Sequence, residues 1–246
     1  KSAVVVDPPY ADNVQYAELA DFFYVWLKRT QGHRRPDWFS PYLCDRSEEA
    51  VVNISRHRDA RMKAVGQARK KAREFYEGLM VATFKECHRI LREGGVLTVM
   101  FTHKKQEAWE ALFSSLIKAS FTTTATWPVK TEGWHSLHQA KKNAAQSTVL
   151  LVARKRPVGA GVGYFDSAMQ QEIRARARET AERLAGEGLN PVDQLVGAFG
   201  PAMEVYSRHD EVRTDTGVPV GVGQAIDQAA DAVSTWRVER LAARGL

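Results

Sequence analysis

Four consecutive residues near the start of the chain, Asp7-Pro8-Pro9-Tyr10, join an acid, two stiff imino acids and an aromatic ring directly behind Val4-Val5-Val6. The three β-branched residues predict a buried strand of a parallel sheet, apolar on both faces. Pro8 and Pro9 then end it, since neither donates to a ladder and each fixes its own φ. Asp7 and Tyr10 are thereby expected on a rigid turn at the carboxyl end of a strand, where open α/β sheets bind ligands. The chemistry such a turn can do is specific. A carboxylate and the Pro8 carbonyl can each accept a hydrogen bond from an exocyclic amine, and Tyr10 offers a flat face for an extruded base. An amine held this way can aim its lone pair at an electrophilic methyl group. The alternative is a Pro-Pro turn after a core strand, with no chemistry at all.

The elements that must position this turn follow in order. Asp12 and Asn13 are cap-like residues before a helix over 16–29. Tyr16, Leu19, Ala20, Phe23, Trp26 and Leu27 fall on one face of it, and Phe22, Tyr24 and Val25 lie largely off that face. A helix apolar almost all round is either buried, the reading preferred here, or part of a binding surface. Residues 30–56 carry Gly32, Pro36 and Pro41 with Trp38, Phe39 and Tyr42, which reads as an ordered loop over the site or as a hydrophobic staple without function. A long helix is expected over 58–91, with Val65, Ala68, Ala72, Phe75, Leu79, Ala82 and Ile90 as its buried stripe. Its basic first half contains His57, Arg58, Arg61, Lys63, Arg69, Lys70, Lys71 and Arg73. Such a run either follows a phosphate backbone or is a solvated face.

Glu93-Gly94-Gly95 stops that helix, and 96–102 is the next strand. His103 and Lys104 then stand on the same sheet edge as Asp7, lining a pocket or forming a surface turn. A helix over 105–119, a strand over 121–129 and a strand over 147–153 complete the α/β part. The polar segment between the last two strands holds Lys130, His135, His138, Lys141 and Lys142, read as surface or nucleic-acid contacts; the two histidines lack a third ligand, so no metal is expected. Gly159-Ala160-Gly161-Val162-Gly163 invites a cofactor-loop reading, but such a loop leaves its strand directly. Here Arg154-Lys155-Arg156-Pro157 intervene, and a flexible linker is expected instead. Helices over 170–185, 191–208 and 223–244 form a tail in which no chemistry stands out.

The chain resembles a family of prokaryotic adenine-specific DNA methylases. The likeness rests on Asp7-Pro8-Pro9-Tyr10, Asp12-Asn13-Val14, Tyr16-Ala17-Glu18-Leu19 and Asp21-Phe22-Phe23-Tyr24-Val25-Trp26-Leu27. It continues in Thr102-His103-Lys104, in Trp127-Pro128-Val129-Lys130-Thr131-Glu132, in Val152-Ala153-Arg154-Lys155-Arg156 and in the segment from Gly197 to Arg208. Full-length members carry an uncharacterised N-terminal domain and often a zinc ribbon. The resemblance implies a partial Rossmann-like methyltransferase sheet, its strands four to seven, with the last two an antiparallel pair at the edge. Residues 1–157 would be the target-base half of the catalytic domain and 158–246 a helical appendage. It implies transfer of a methyl group from S-adenosylmethionine to the N6 amine of adenine in DNA, in restriction, phage defence or regulation. Asp7, Pro8, Pro9 and Tyr10 would be the catalytic set, and Asp7 an edge contact for S-adenosylmethionine, whose main loop is expected upstream of Lys1. The alternatives are N4-cytosine methylation of DNA, N2-guanine methylation of ribosomal RNA, and a DNA-binding defence component without turnover.

Composition sets the outer bounds. With 246 residues, 44% hydrophobic and 26% charged, the chain can bury a full core. A net charge of +6 favours a polyanionic partner, though many enzymes are as basic. Cys44 and Cys87 form no metal-binding spacing, and two thiols without a disulfide framework suggest a reducing, cytoplasmic setting. No apolar run approaches the roughly 20 residues of a membrane span, and no signal-peptide pattern is read. A core strand with no methionine and no lead-in before it suggests a fragment of a longer chain.

Overall fold

Strand β1 (Ala3–Val6) lies parallel to β2 (Val96–Phe101), with Val4 opposite Leu97 and Val6 opposite Val99. The computed structural model in which this pairing is seen describes residues 1–12, 14–58, 65–129 and 148–243. Two further strands, β3 (Phe121–Val129) and β4 (Thr148–Lys155), join them in a four-stranded sheet of order β1-β2-β4-β3. β4 runs antiparallel to both of its neighbours. The alternating burial of β2, in which Leu97, Val99 and Phe101 are fully buried, is what a period-two strand with one face on a core produces.

The chain divides into two compact units, one of residues 1–8 with 81–246 and one of residues 9–80. In the first, α3 (Gln106–Lys118) buries Trp109, Leu112, Phe113 and Leu116. Beyond the sheet come β5 (Val162–Tyr164), α4 (Ser167–Gly186), α5 (Pro191–Tyr206), β6 (Glu211–Arg213) and α6 (Val222–Ala242). β5 and β6 pair in parallel as a separate ribbon. Asp166 caps α4 through the Met169 amide, and Asn190 caps α5 through the Val192 and Asp193 amides with Pro191 in the first turn. Ala177, Ala181, Ala198, Ala202, Ala225 and Ala229 are buried alongside larger residues such as Leu184, Ile226 and Met203.

This helical part is joined to the sheet by polar contacts as well. Ser207 at the end of α5 receives the Thr123 amide on its hydroxyl at 2.9 Å and the Thr122 hydroxyl on its carbonyl at 2.9 Å. The Thr123 contact falls where the β3–β4 register shifts, so the side chain satisfies a strand amide at the irregularity. Arg156 is buried and spends its guanidinium on the Ile117 and Ser207 carbonyls and on Asp210.

The second unit contains α1 (Tyr16–Gln31), a 3-10 turn at Ser55–His57 and the start of α2 (Val65–Ile90), which continues into the first unit. Its loop folds against α1. The Tyr24 hydroxyl and the Lys28 ammonium both donate to the Pro41 carbonyl, and the Tyr24 and Phe39 rings are in contact. Asp21 takes the Cys44 amide at 3.0 Å and pairs with Arg46. Burial acts to raise the Asp21 carboxyl, but the Cys44 amide and Arg46 outweigh it and hold its pKa below the usual aspartate value. Glu49 accepts the Ala17 amide at 2.8 Å, satisfying an otherwise orphaned first-turn donor, and pairs with Arg56 at 2.6 Å.

Four expectations are corrected. β1 is not buried on both faces: Val5 is 69% exposed, and among the described residues β1 pairs with β2 alone. α1 is not a buried helix: Ala17 is its one buried residue, while Leu19, Phe22, Phe23, Trp26 and Leu27 are each more than half exposed. The 30–56 loop meets α1 at Ala17, Asp21, Tyr24 and Lys28. The stripe of α2 is Ala68, Ala72, Tyr76, Met80, Phe84 and Cys87, whereas Phe75, Leu79 and Ile90 are half-buried and Ala82 is exposed. Residues 159–163 are not a flexible linker: they turn directly into β5, and Asp210 takes the Gly161 amide while the Gly161 carbonyl takes the Asp210 amide.

Candidate functional site

Because β1 and β2 are parallel, the residues that follow them emerge on one edge of the sheet. Asp7 and Pro8 follow β1; Thr102, His103 and Lys104 follow β2. Asp7 is exposed and Pro8 buried, so the carboxylate stands out from a fixed base. His103 is only 3% exposed and is not a surface turn. Its ring stacks on Phe101, its Nδ1 accepts the Lys105 amide at 3.0 Å, and its carbonyl accepts the Trp109 indole N–H at 2.8 Å. A neutral ring whose Nδ1 accepts carries its proton on Nε2. Lys104 is exposed.

The boundary between the two units falls inside the motif, between Pro8 and Pro9. In the second unit Pro9 and Tyr10 are part of a tightly held turn. The Pro9 carbonyl accepts the Ala11 amide at 3.0 Å and the Tyr76 hydroxyl at 2.8 Å. Ala11 adopts a positive φ of 50°, rare for a residue with a Cβ, and its carbonyl accepts the Val52 amide at 3.1 Å. Burial pushes the Tyr76 hydroxyl well above the usual tyrosine pKa, which keeps it a donor. Tyr10 is half-buried. The Pro9 carbonyl is therefore committed, whereas the described residues make no hydrogen bond to the Pro8 carbonyl. Tyr76 escapes the sequence reading because the more apolar Phe75 draws the stripe one residue aside; counting every fourth residue from Ala68 and Ala72 finds it.

Arg58 is exposed near the 3-10 turn, and Arg69, Lys70 and Lys71 are exposed on α2, Lys70 pairing with Glu74 at 3.8 Å. Arg61, Lys130, Lys141 and Lys142 lie outside the described residues, as do Lys63, His135 and His138. A cavity of about 320 Å³ in the second unit is lined by Arg46, Val51, Arg56, His57 and Phe75. Its two guanidinium groups are already engaged with Asp21 and Glu49, so it presents no unpaired charge. Among the described residues no group of three His, Cys, Asp or Glu could hold a metal ion, and no helix is long and apolar enough to cross a membrane.

No protein-family model, curated protein or solved structure matches this chain.

Proposed function

We propose that the chain is the target-base half of an S-adenosylmethionine-dependent methyltransferase that modifies the N6 amine of adenine in DNA. The observation that carries the reading is the placement of Asp7-Pro8 at the carboxyl end of β1, with an exposed carboxylate and a Pro8 carbonyl left unbonded by the described residues. Asp7 and the Pro8 carbonyl would each accept a hydrogen bond from one amine N–H, turning the nitrogen lone pair out of conjugation and toward the methyl donor; the N–CH3 bond would form as the S–CH3 bond breaks, S-adenosylhomocysteine would leave, and the surplus proton of the amine would pass to solvent. Tyr10 would stack on the extruded base. The sheet supports the same reading: parallel β1 and β2 followed by an antiparallel pair is the order that the resemblance implies for the second half of such a domain.

S-adenosylmethionine would supply the electrophilic methyl group, and Asp7 would touch its edge. Gly159 to Gly163 do not fit a cofactor cradle, because Gly161 is bonded to Asp210 on both sides of its peptide and the segment enters β5. The amine attacks directly, so no covalent enzyme intermediate is required and neither cysteine need act as a nucleophile.

The test is methyl incorporation from labelled S-adenosylmethionine into DNA by the full-length protein, followed by mass analysis of digested nucleosides. N6-methyladenine is the expected product. Asp7→Ala should lower turnover at least about a hundredfold, in the range seen when a group that acts on the reacting centre is removed. DNA affinity, which comes mostly from phosphate contacts, should be largely kept. N4-methylcytosine, N2-methylguanine in RNA, or full turnover by the variant would each overturn the proposal.

A further inference from the structure

We propose that the C-terminal end of α1 and the turn after it form a binding platform for unpaired nucleotides. It is built from the second unit alone and goes beyond the methyl-transfer reading. Trp26, Trp38 and Tyr42 are 54%, 62% and 88% exposed. Exposing three large aromatic rings to water within one short stretch costs burial that the chain could otherwise gain. Two of them carry guanidinium groups on their faces: Arg29 lies 5.5 Å from the Trp26 centroid and Arg35 lies 4.5 Å from that of Trp38.

The turn is held by the chain itself. The Arg34 and Arg35 amides both donate to the Gln31 carbonyl, and the Trp38 amide donates to the Arg35 carbonyl. Its far side is tied to α1 through Pro41, which accepts from Tyr24 and Lys28. The platform is thus positioned before any partner arrives.

Charge identifies the partner. Between Lys28 and Tyr42 the sequence has four cationic side chains, Lys28, Arg29, Arg34 and Arg35, and one carboxylate, Asp37. Arg29, Arg34 and Arg35 are exposed and pair with no carboxylate among the described residues. A protein-docking centre excludes charge, and covering three unpaired guanidinium groups with apolar surface would carry a desolvation cost. A single strand meets both halves of the surface at once. Its phosphates neutralise the guanidinium groups and its unpaired bases stack on the rings. Duplex bases, already stacked on one another, cannot use the rings.

The test is fluorescence anisotropy of a labelled oligothymidine of about 16 nucleotides with the full chain, across a salt series. Binding should weaken as salt rises. Trp38→Ala should lower affinity about tenfold, Trp38→Phe should restore it, and Arg29→Glu with Arg35→Glu should lower it further and flatten the salt dependence. These side chains are exposed, so the fold has no stake in them; circular dichroism checks that directly. Equal binding by wild type and all variants, equal affinity for duplex, or binding to anionic vesicles or to a second copy of the chain without oligonucleotide binding would overturn the proposal. Methyl incorporation is measured separately. Loss of binding in these variants with no methylation by wild type leaves the platform standing and removes the methyl-transfer reading. Methylation with unaltered binding in the variants does the reverse.

Discussion

Tyr10 has a role in the proposed chemistry that can be tested alone. Stacking needs the ring of Tyr10 and not its hydroxyl. Tyr10→Phe should therefore keep most turnover, while Tyr10→Ala should lose roughly one to two powers of ten, the worth of a base–aromatic stack. Single-turnover methylation of a defined duplex measures both, and an alanine variant as fast as wild type would remove the stacking role. A second residue-scale expectation concerns His88, whose ring meets that of Phe121 edge-on at 5.3 Å. Burial lowers its pKa, and the nearby Lys155 and Arg156 add to the shift while Glu93 opposes it. The folded protein therefore binds a proton at His88 less readily than the unfolded chain does. Stability should be level above the usual histidine range and fall as pH drops through about 6.5 toward the depressed folded value. Thermal melts between pH 7.5 and pH 5.5 should show this decline, and His88→Phe should make it shallower; parallel curves for the two proteins would show that His88 does not drive it.

The contact between α5 and β3 is the element-scale feature with the least tolerance. A Cβ built on Gly200 would lie 2.1 Å from the Thr126 Cγ2 and Oγ1 and 2.5 Å from its Cβ. The last of these atoms is fixed to the strand backbone and cannot swing aside. Gly200→Ala is expected to destabilise the fold by about 1–3 kcal/mol, read from urea unfolding, despite the better helix propensity of alanine. At Gly197 a Cβ would meet the Leu184 Cδ1 at 2.4 Å, the free end of a flexible side chain. Gly197→Ala should cost less. Thr126→Ala should recover part of the Gly200→Ala loss, so the double variant should be more stable than the sum of the two single effects. An additive result would place the strain elsewhere.

At the scale of the whole chain, two features bear on its behaviour in solution. α1 exposes Leu19, Phe22, Phe23, Trp26 and Leu27, and among the described residues β1 pairs with a neighbour on one side only. Contiguous apolar surface and an open strand edge both promote association. The 246-residue chain should show concentration-dependent association in sedimentation velocity, and Phe22→Glu with Phe23→Glu should reduce it. A monomer at all concentrations would mean that these surfaces are covered in solution. The net charge of +6 works against association at low salt, so the effect should grow as salt screens it.

Much of this architecture was legible in the residues alone. Val4-Val5-Val6 into Pro8-Pro9, Gly94-Gly95 ahead of 96–101, and Asn190-Pro191 at the head of α5 are local signals, set by φ limits, missing donors and capping, and they placed the elements within a few residues. The sequence also put Asp7 and His103 on one sheet edge, since parallel strands share their direction. Tertiary structure alone decided what covers each apolar face. Periodicity says that a residue is apolar on a face but not whether another element reaches it, so α1 read as buried and is exposed, and Val5 read as core and is at an edge. It also decided the fate of Gly161, whose peptide is bonded to Asp210 from 49 residues away, and the role of Tyr76, whose hydroxyl fixes Pro9 from 67 residues away. Pairings at such separation depend on how the chain folds back on itself, and no local pattern of residue types encodes them.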